Sequence, residues 1–257
     1  RLLRLHGRSI GLDPGFTILD RGDAEDLMGV LRTDLGFAKN DRRFPLKGTC
    51  MDIYSRRVNS TDELRPLLTA WFPWCLEWEA DLSRLFRAYV ERKQQQQVLD
   101  YDDLLLYLYY LLEDERTAAS VGGRFDHILV DEYQDTNRIQ AGILRRLRGE
   151  SKNIMVVGDD AQSIYSFRSA TIRNMLDFPL EFPGAATVTL DQNYRSRQPI
   201  LETTNRIIAQ AHERHSKELW STRGDGQRPQ IITCGDESSE DEEVVRFVLE
   251  HYEQGIP

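Results

Sequence analysis

The chain has 257 residues, 40% of them hydrophobic, which is enough for a real core spread over one to three small domains. No apolar stretch approaches the ~20 residues of a membrane span and no secretory leader is visible, so a cytoplasmic protein without a membrane partner is expected. The net charge of −9 argues mildly against nucleic-acid binding. The acid is uneven, however: Glu237, Glu240, Asp241, Glu242 and Glu243 crowd near the C-terminus, while Arg138, Arg145, Arg146, Arg148, Arg168 and Arg173 lie in the middle of the chain. Cys50, Cys75 and Cys234 are an odd set without close pairing and read as reduced structural thiols. The triplet Asn59-Ser60-Thr61 is then a chance glycosylation match.

Taken in chain order, Leu2, Leu3, Leu5 and Ile10 place the end of a helix in Arg1–Leu19. Asp20–Gln97 is rich in helix formers and holds an aromatic cluster at Trp71, Phe72, Trp74 and Trp78. Trp71, Trp74 and Trp78, at i, i+3 and i+7, predict the packing stripe of one helix. Gln94–Gln97 reads as an exposed helix end. The run Ile128–Val130 then predicts a strand buried on both faces, as in a parallel sheet, followed directly by Asp131 and Glu132. Burying two carboxylates is costly, so the pair is expected at the strand's carboxyl edge, where open α/β sheets bind ligands. One carboxylate there can hold Mg²⁺ through a nucleotide while its neighbour positions or deprotonates water; the alternative is a strand that ends in solvated acids.

Ile139, Ile143, Leu144 and Leu147 recur at helical spacing, and Asn153–Gly158 is a second strand-like run ending in Asp159-Asp160. Strand, helix and strand in this order predict a right-handed βαβ unit. A third run, Ala186–Leu190, precedes Asp191-Gln192-Asn193-Tyr194-Arg195-Ser196. Three such strands would align their polar clusters along one rim. His212-Glu213-Arg214-His215 is one residue too short for the zinc-protease motif, and no metal is expected there.

These clusters carry a resemblance. Asp131-Glu132-Tyr133-Gln134-Asp135-Thr136-Asn137 resembles the Walker B motif of UvrD/Rep-type superfamily 1 DNA helicases, Val157–Tyr165 resembles their motif III, and Gln192–Ser196 resembles motif IV. Leu99–Leu104 matches a segment upstream of Walker B, and Phe16–Asp20 fits the stretch after motif Ib. The resemblance covers the chain to about Arg228. Two departures stand out: Asp159-Asp160-Ala161-Gln162 occupies the place of the usual Asp-Ala-Asp-Gln, and Ser166-Phe167 that of Arg-Trp.

The resemblance implies an α/β fold: a RecA-like P-loop NTPase parallel sheet with a helical insertion and the start of a second RecA-like lobe. Residues 1–19 would end the N-terminal part of the first lobe, 20–97 would be the helical insertion, 98–215 the rest of the first lobe with its motifs, and 216–257 the incomplete second lobe. Trp220–Gly226 reads as the passage between lobes, with Gln230–Cys234 a strand and Glu240–Tyr252 a helix beyond it. The sequence contains no Gly-x-x-x-x-Gly-Lys-Ser/Thr, and the family's motifs V and VI normally lie far downstream, so an internal piece of a longer protein is expected, a poor ATPase alone.

The resemblance also implies ATP and Mg²⁺ as cofactors, single-stranded and duplex DNA as partners together with the rest of the same polypeptide, and 3′ to 5′ translocation with unwinding, as in DNA repair. Residue by residue it implies Asp131 for Mg²⁺, and Glu132 beside it to orient and deprotonate water. Gln162 would sense the γ-phosphate, Arg195 would touch it, and Tyr194 would pack on the adenine. Tyr165, Phe167 and Arg168 would contact DNA, with the aromatics stacking on bases. Read singly, Gln162 could cap a turn, Arg195 could pair with an acid, and Tyr165 and Phe167 could be core aromatics. Two other functions remain compatible: the motor of a helicase–nuclease, and a non-catalytic DNA-binding or assembly module derived from a motor.

Overall fold

The computed structural model describes residues 1–37, 44–149 and 153–256, with the backbone alone for Arg168. Two compact units emerge, Arg1–Ala186 and Thr187–Pro257. Among the described residues no helix is long and apolar enough to cross a membrane.

In the first unit, helix α1 (Leu2–His6) runs into a 3-10 turn and then strand β1 (Thr17–Ile18). Four helices follow: α2 (Arg21–Asp34), α3 (Lys47–Ser60), α4 (Leu64–Trp71) and α5 (Glu79–Gln96). Asp20 starts α2 by accepting the Asp23 N–H at 2.8 Å, an N-cap that satisfies one otherwise orphaned donor. On α5, Leu82, Leu85, Phe86, Tyr89 and Lys93 fall on one helical face and are buried. They close on Met28 of α2, Ile53 of α3 and Leu67 and Leu68 of α4, the core of a helical subdomain. Gln94–Gln97 is the exposed end of α5, with Gln97 in the left-handed region.

The tryptophan stripe does not form. Helix α4 ends at Trp71, Phe72 breaks from helical geometry, and Pro73, with no N–H to donate, opens a separate 3-10 helix, Pro73–Trp78. Only Trp78 packs on the core; Trp71 and Trp74 are exposed.

Strand β2 (Val98–Leu99) returns parallel to β1, with Thr17 opposite Val98 and Ile18 opposite Leu99. The chain then enters α6 (Tyr101–Leu111), α7 (Glu115–Gly122), β3 (Ile128–Val130), α8 (Arg138–Arg148) and β4 (Ile154–Val156). The expected strand–helix–strand order is present, and β3 and β4 are parallel neighbours in register, Ile128 with Ile154 through Val130 with Val156.

The expected burial of β3 on both faces is not met: Leu129 is 73% exposed and its register partner Met155 58%. The described residues form two separate two-stranded sheets rather than one broad parallel sheet, and the side bearing Leu129 and Met155 is open. Apolar burial comes instead from α8, whose Ile139 and Ile143 pack with Leu112 and with Val121 of α7. The architecture is therefore a mostly helical α/β fold with small parallel sheets.

Short helices α9 (Arg173–Leu176) and α10 (Phe178–Glu181) end the first unit. Ala186–Leu190, where the second unit begins at Thr187, and Gln230–Cys234 within that unit do not form the expected strands. A strand needs a neighbour for its N–H and C=O groups, and among the described residues the β pairing in this unit is one parallel bridge between Gln192 and Trp220. Helices α11 (Gln198–Ile208) and α12 (Glu237–Glu253) complete it, the latter capped by Asp236 and covering the expected helix at Glu240–Tyr252.

A buried ion cluster fastens the helical subdomain to α6. Asp100 and Asp103 form a capping box, each carboxylate accepting the other's backbone N–H, at 2.8 and 3.1 Å. The same two carboxylates accept Lys93 Nζ at 2.7 and 2.6 Å, and Tyr89 donates its hydroxyl to Asp100 at 2.9 Å. Burial and the neighbouring Asp100 charge push the Asp103 carboxyl up to about 6, against the pull of Lys93. Lys93→Met would strand two buried carboxylates, and its expected cost at pH 7 is about 3–5 kcal/mol in urea unfolding. Lys93 is what pulls the Asp103 carboxyl down, so in the variant that group takes up its proton at a higher pH than in the parent, and protonation of the folded variant should make the deficit shrink toward pH 5.

Candidate functional site

The site is assembled where β3 and β4 end. After Val130, Asp131 and Glu132 are exposed. Asp131 Oδ1 accepts the Glu132 N–H at 2.9 Å, and Glu132 turns the chain with φ 51° and ψ 42°. Left-handed geometry costs a non-glycine residue about 1–3 kcal/mol and tends to persist where surrounding contacts enforce it. Here the enforcement is visible on both sides. The Tyr133 N–H bonds Val157 O at 2.9 Å, carrying the register of the sheet past its end, and Asn137 caps α8 in a reciprocal box with Gln140.

Gln134 holds the centre. Its side chain is 1% exposed; Nε2 donates to Glu132 Oε2 at 2.8 Å and Oε1 accepts the Asp159 N–H at 3.0 Å. Asp159 in turn accepts Ala161 N at 2.9 Å through Oδ1 and Gln162 Nε2 at 2.8 Å through Oδ2. Glu132, Gln134, Asp159 and Gln162 thus form one hydrogen-bonded chain across the carboxyl ends of two parallel strands. The chain requires Gly158 beside it, because a Cβ there would lie 2.6 Å from Gln134 Oε1.

Two adjacent, solvent-facing carboxylates are hard oxygen donors suited to Mg²⁺, which is commonly held by one or two carboxylates and completed by phosphate and water. Among the described residues no group of three or more His, Cys, Asp or Glu side chains is placed to hold a metal ion.

Tyr165 and Phe167 follow on the 3-10 turn Ser166–Arg168 and its approach. Their rings lie 5.8 Å apart, and Phe167 is 62% exposed, so it is a surface ring and no part of the core. The side chain of Arg168 lies outside the described residues. Tyr194 and Arg195 belong to the second unit, where Asn193 Oδ1 accepts the backbone N–H groups of Arg195 and Ser196 at 2.9 and 2.7 Å. Tyr194 is exposed and donates its hydroxyl to Gln192. Arg195 is exposed, and its guanidinium makes no ion pair among the described residues.

The structure therefore joins Asp131, Glu132 and Gln162 into one site and pairs Tyr165 with Phe167, while Tyr194 and Arg195 form a local turn of their own. The expected three-strand rim is a two-strand rim, because the segment before Asp191 is not a strand. Sequence reading missed Gln134 and Gly158. A glycine at the end of an apolar strand, facing a polar turn, is the signal that could have exposed the close approach.

The model for the UvrD/REP helicase N-terminal domain matches residues 1–183, and that for the UvrD-like helicase C-terminal domain matches residues 188–256, a division that coincides with the two compact units. The chain is 35% identical over 257 residues to "ATP-dependent DNA helicase PcrA" of Leuconostoc citreum, covering 99% of this chain and 33% of that protein. Proteins of the same name from Staphylococcus epidermidis and Staphylococcus aureus are 31% and 30% identical over 258 residues, covering 99% of this chain and 34% of each. The chain spans about a third of the length of the curated relatives it matches.

Gln134→Leu deletes both bonds of the central amide and leaves the Asp159 N–H without its acceptor. The expected loss is about 1–3 kcal/mol of unfolding free energy in chemical denaturation. An unchanged midpoint would mean that the amide is not what joins the two strand ends.

Proposed function

The chain belongs to the UvrD/Rep helicase family, and on that premise we propose that it supplies the hydrolytic part of an ATP-dependent DNA helicase motor, within a RecA-like lobe, that moves 3′ to 5′ along single-stranded DNA and unwinds duplex. The observation that carries this reading is the hydrogen-bonded chain from Glu132 through Gln134 and Asp159 to Gln162. Hydrolysis and DNA binding in such a motor must be linked, and this chain ties the carboxylate pair to the segment that bears Tyr165 and Phe167.

Asp131 would hold Mg²⁺, which supplies charge neutralisation on the phosphates when bound. Glu132 would accept a proton from the attacking water and orient it; Gln134 fixes the carboxylate through Oε2, leaving Oε1 for that water. Gln162 would meet the γ-phosphate, so that nucleotide binding or release competes with its bond to Asp159. Arg195, without an acidic partner among the described residues, would place its guanidinium fork on the developing phosphate charge, and Tyr194 would pack on the adenine. Tyr165 and Phe167 would stack on bases, each stack worth ~1–3 kcal/mol irrespective of sequence, with Arg168 beside them.

No phosphate-cradling Gly-x-x-x-x-Gly-Lys-Ser/Thr occurs in this sequence, so hydrolysis is proposed for the longer protein rather than for this chain by itself. In the full-length protein, Glu132→Gln is expected to reduce DNA-stimulated ATP hydrolysis by about 10²–10⁴-fold while nucleotide binding persists. Undiminished turnover in a steady-state phosphate-release assay would overturn the assignment.

A further inference from the structure

Arg56 lies on α3, in the helical subdomain, more than a hundred residues from the aromatic turn, and is only 9% exposed. A guanidinium taken out of water normally demands a carboxylate, yet among the described residues Arg56 has no ion pair. Its donors go to backbone instead: Nη1 to Phe167 O and Nη2 to Ser166 O, both at 3.0 Å. The fork spans two successive carbonyls of the turn, a geometry that an ammonium, as a single point of charge, cannot reproduce. The turn returns the contact, with Ser169 Oγ donating to the Arg56 carbonyl at 3.5 Å from a residue held at φ 65°. Over the guanidinium lies the ring of Trp71, 3.4 Å from its central carbon and 46% exposed. Planar stacking of this kind fixes the orientation of the fork as well as shielding it.

Apolar packing alone would be served as well by a Met or Leu at this position. What the fork adds is direction. With both carbonyls held, the peptide planes on either side of Phe167 are set, and so is the direction in which its exposed ring projects beside Tyr165.

We propose that Arg56 is a positioning residue for single-stranded nucleic acid: it locks the Tyr165–Ser169 turn so that Tyr165 and Phe167 are presented to bases, with Trp71 as its brace. This rests on the reading of Tyr165 and Phe167 as base-stacking residues. The helical subdomain is then part of the grip on the strand without touching it through Arg56.

The test uses the full-length protein and titration of its ATP hydrolysis with oligo-dT. Arg56→Met should raise the oligonucleotide concentration for half-maximal stimulation about tenfold, the size of losing much of one base stack, while maximal turnover at saturating DNA falls less than twofold. Arg56→Lys, able to bond one carbonyl, should fall between, and it also serves if the Met variant does not fold. Because Arg56 touches no phosphate, the slope of log affinity against log salt should stay at the parental value. An unchanged half-maximal concentration in both variants would overturn the proposal, as would a salt slope reduced by about one, which marks a direct phosphate contact. Phe167→Ala separates the two levels. If it does not weaken oligonucleotide stimulation, the stacking reading itself fails; if it does and the Arg56 variants do not, only the positioning role fails.

Discussion

One buried carboxamide sets the relation between everything chemically interesting in the first unit. Gln134 must donate to Glu132 and accept from Asp159 at the same time, and a buried amide that lost either partner would carry the full desolvation cost of the unmet group. That requirement explains the glycine at 158, where any Cβ would displace the amide, and it makes the left-handed turn at Glu132 tolerable, because the carboxylate is anchored from below. The sheet supplies the spacing: β3 and β4 are adjacent and parallel, so their carboxyl ends lie side by side and one side chain spans both.

The same economy of polar side chains connects the site to the helical subdomain. Asn137, which caps α8 directly after the acidic turn, donates from Nδ2 to Asn59 of α3 at 2.8 Å, and Asn59 donates to Asp102 of α6 at 2.7 Å. Asn174 donates to the carbonyls of Thr136 and Asn137 at 3.0 and 3.1 Å. With the Lys93 cluster and the Arg56 fork, these are fixed-length, directional contacts between segments far apart in sequence. Apolar packing tolerates sliding, whereas such contacts favour one register. The subdomain is therefore held in a defined orientation relative to the acidic turn.

Much of this was readable from local pattern. The alternation of apolar runs with acids located β3, β4 and the carboxylate pair, the helical period located α8, and the glutamine tract located the end of α5. What local pattern could not supply was the environment. Ile128–Val130 is composed like a strand covered on both sides, but composition does not reveal whether a covering layer is present, and Leu129 lies open. The tryptophan spacing fitted a helix until Pro73 is weighed, since a residue without an N–H outranks periodicity. Gln134 and Arg56 were invisible for a different reason: each acts through a partner whose nearness is decided by the whole fold, and nothing in the neighbouring residues encodes it.

The joint at β1 and β2 bears on how such a chain changes over time. The helical segment leaves the host after Ile18 and rejoins it at Val98, and those two positions belong to strands that lie side by side, paired over two residues each. A segment whose departure and return share one short seam can lengthen, shrink or be exchanged without redrawing the host, because the host sees only the seam. Directional contacts that resist such exchange include those of Lys93, Tyr89, Asn59 and Arg56 and the reach of Arg138 to Ser60 and Asp62. A lineage that swapped the helices but kept these side chains in place would retain the same purchase on the acidic turn, and one that lost Lys93 would leave two buried carboxylates uncompensated.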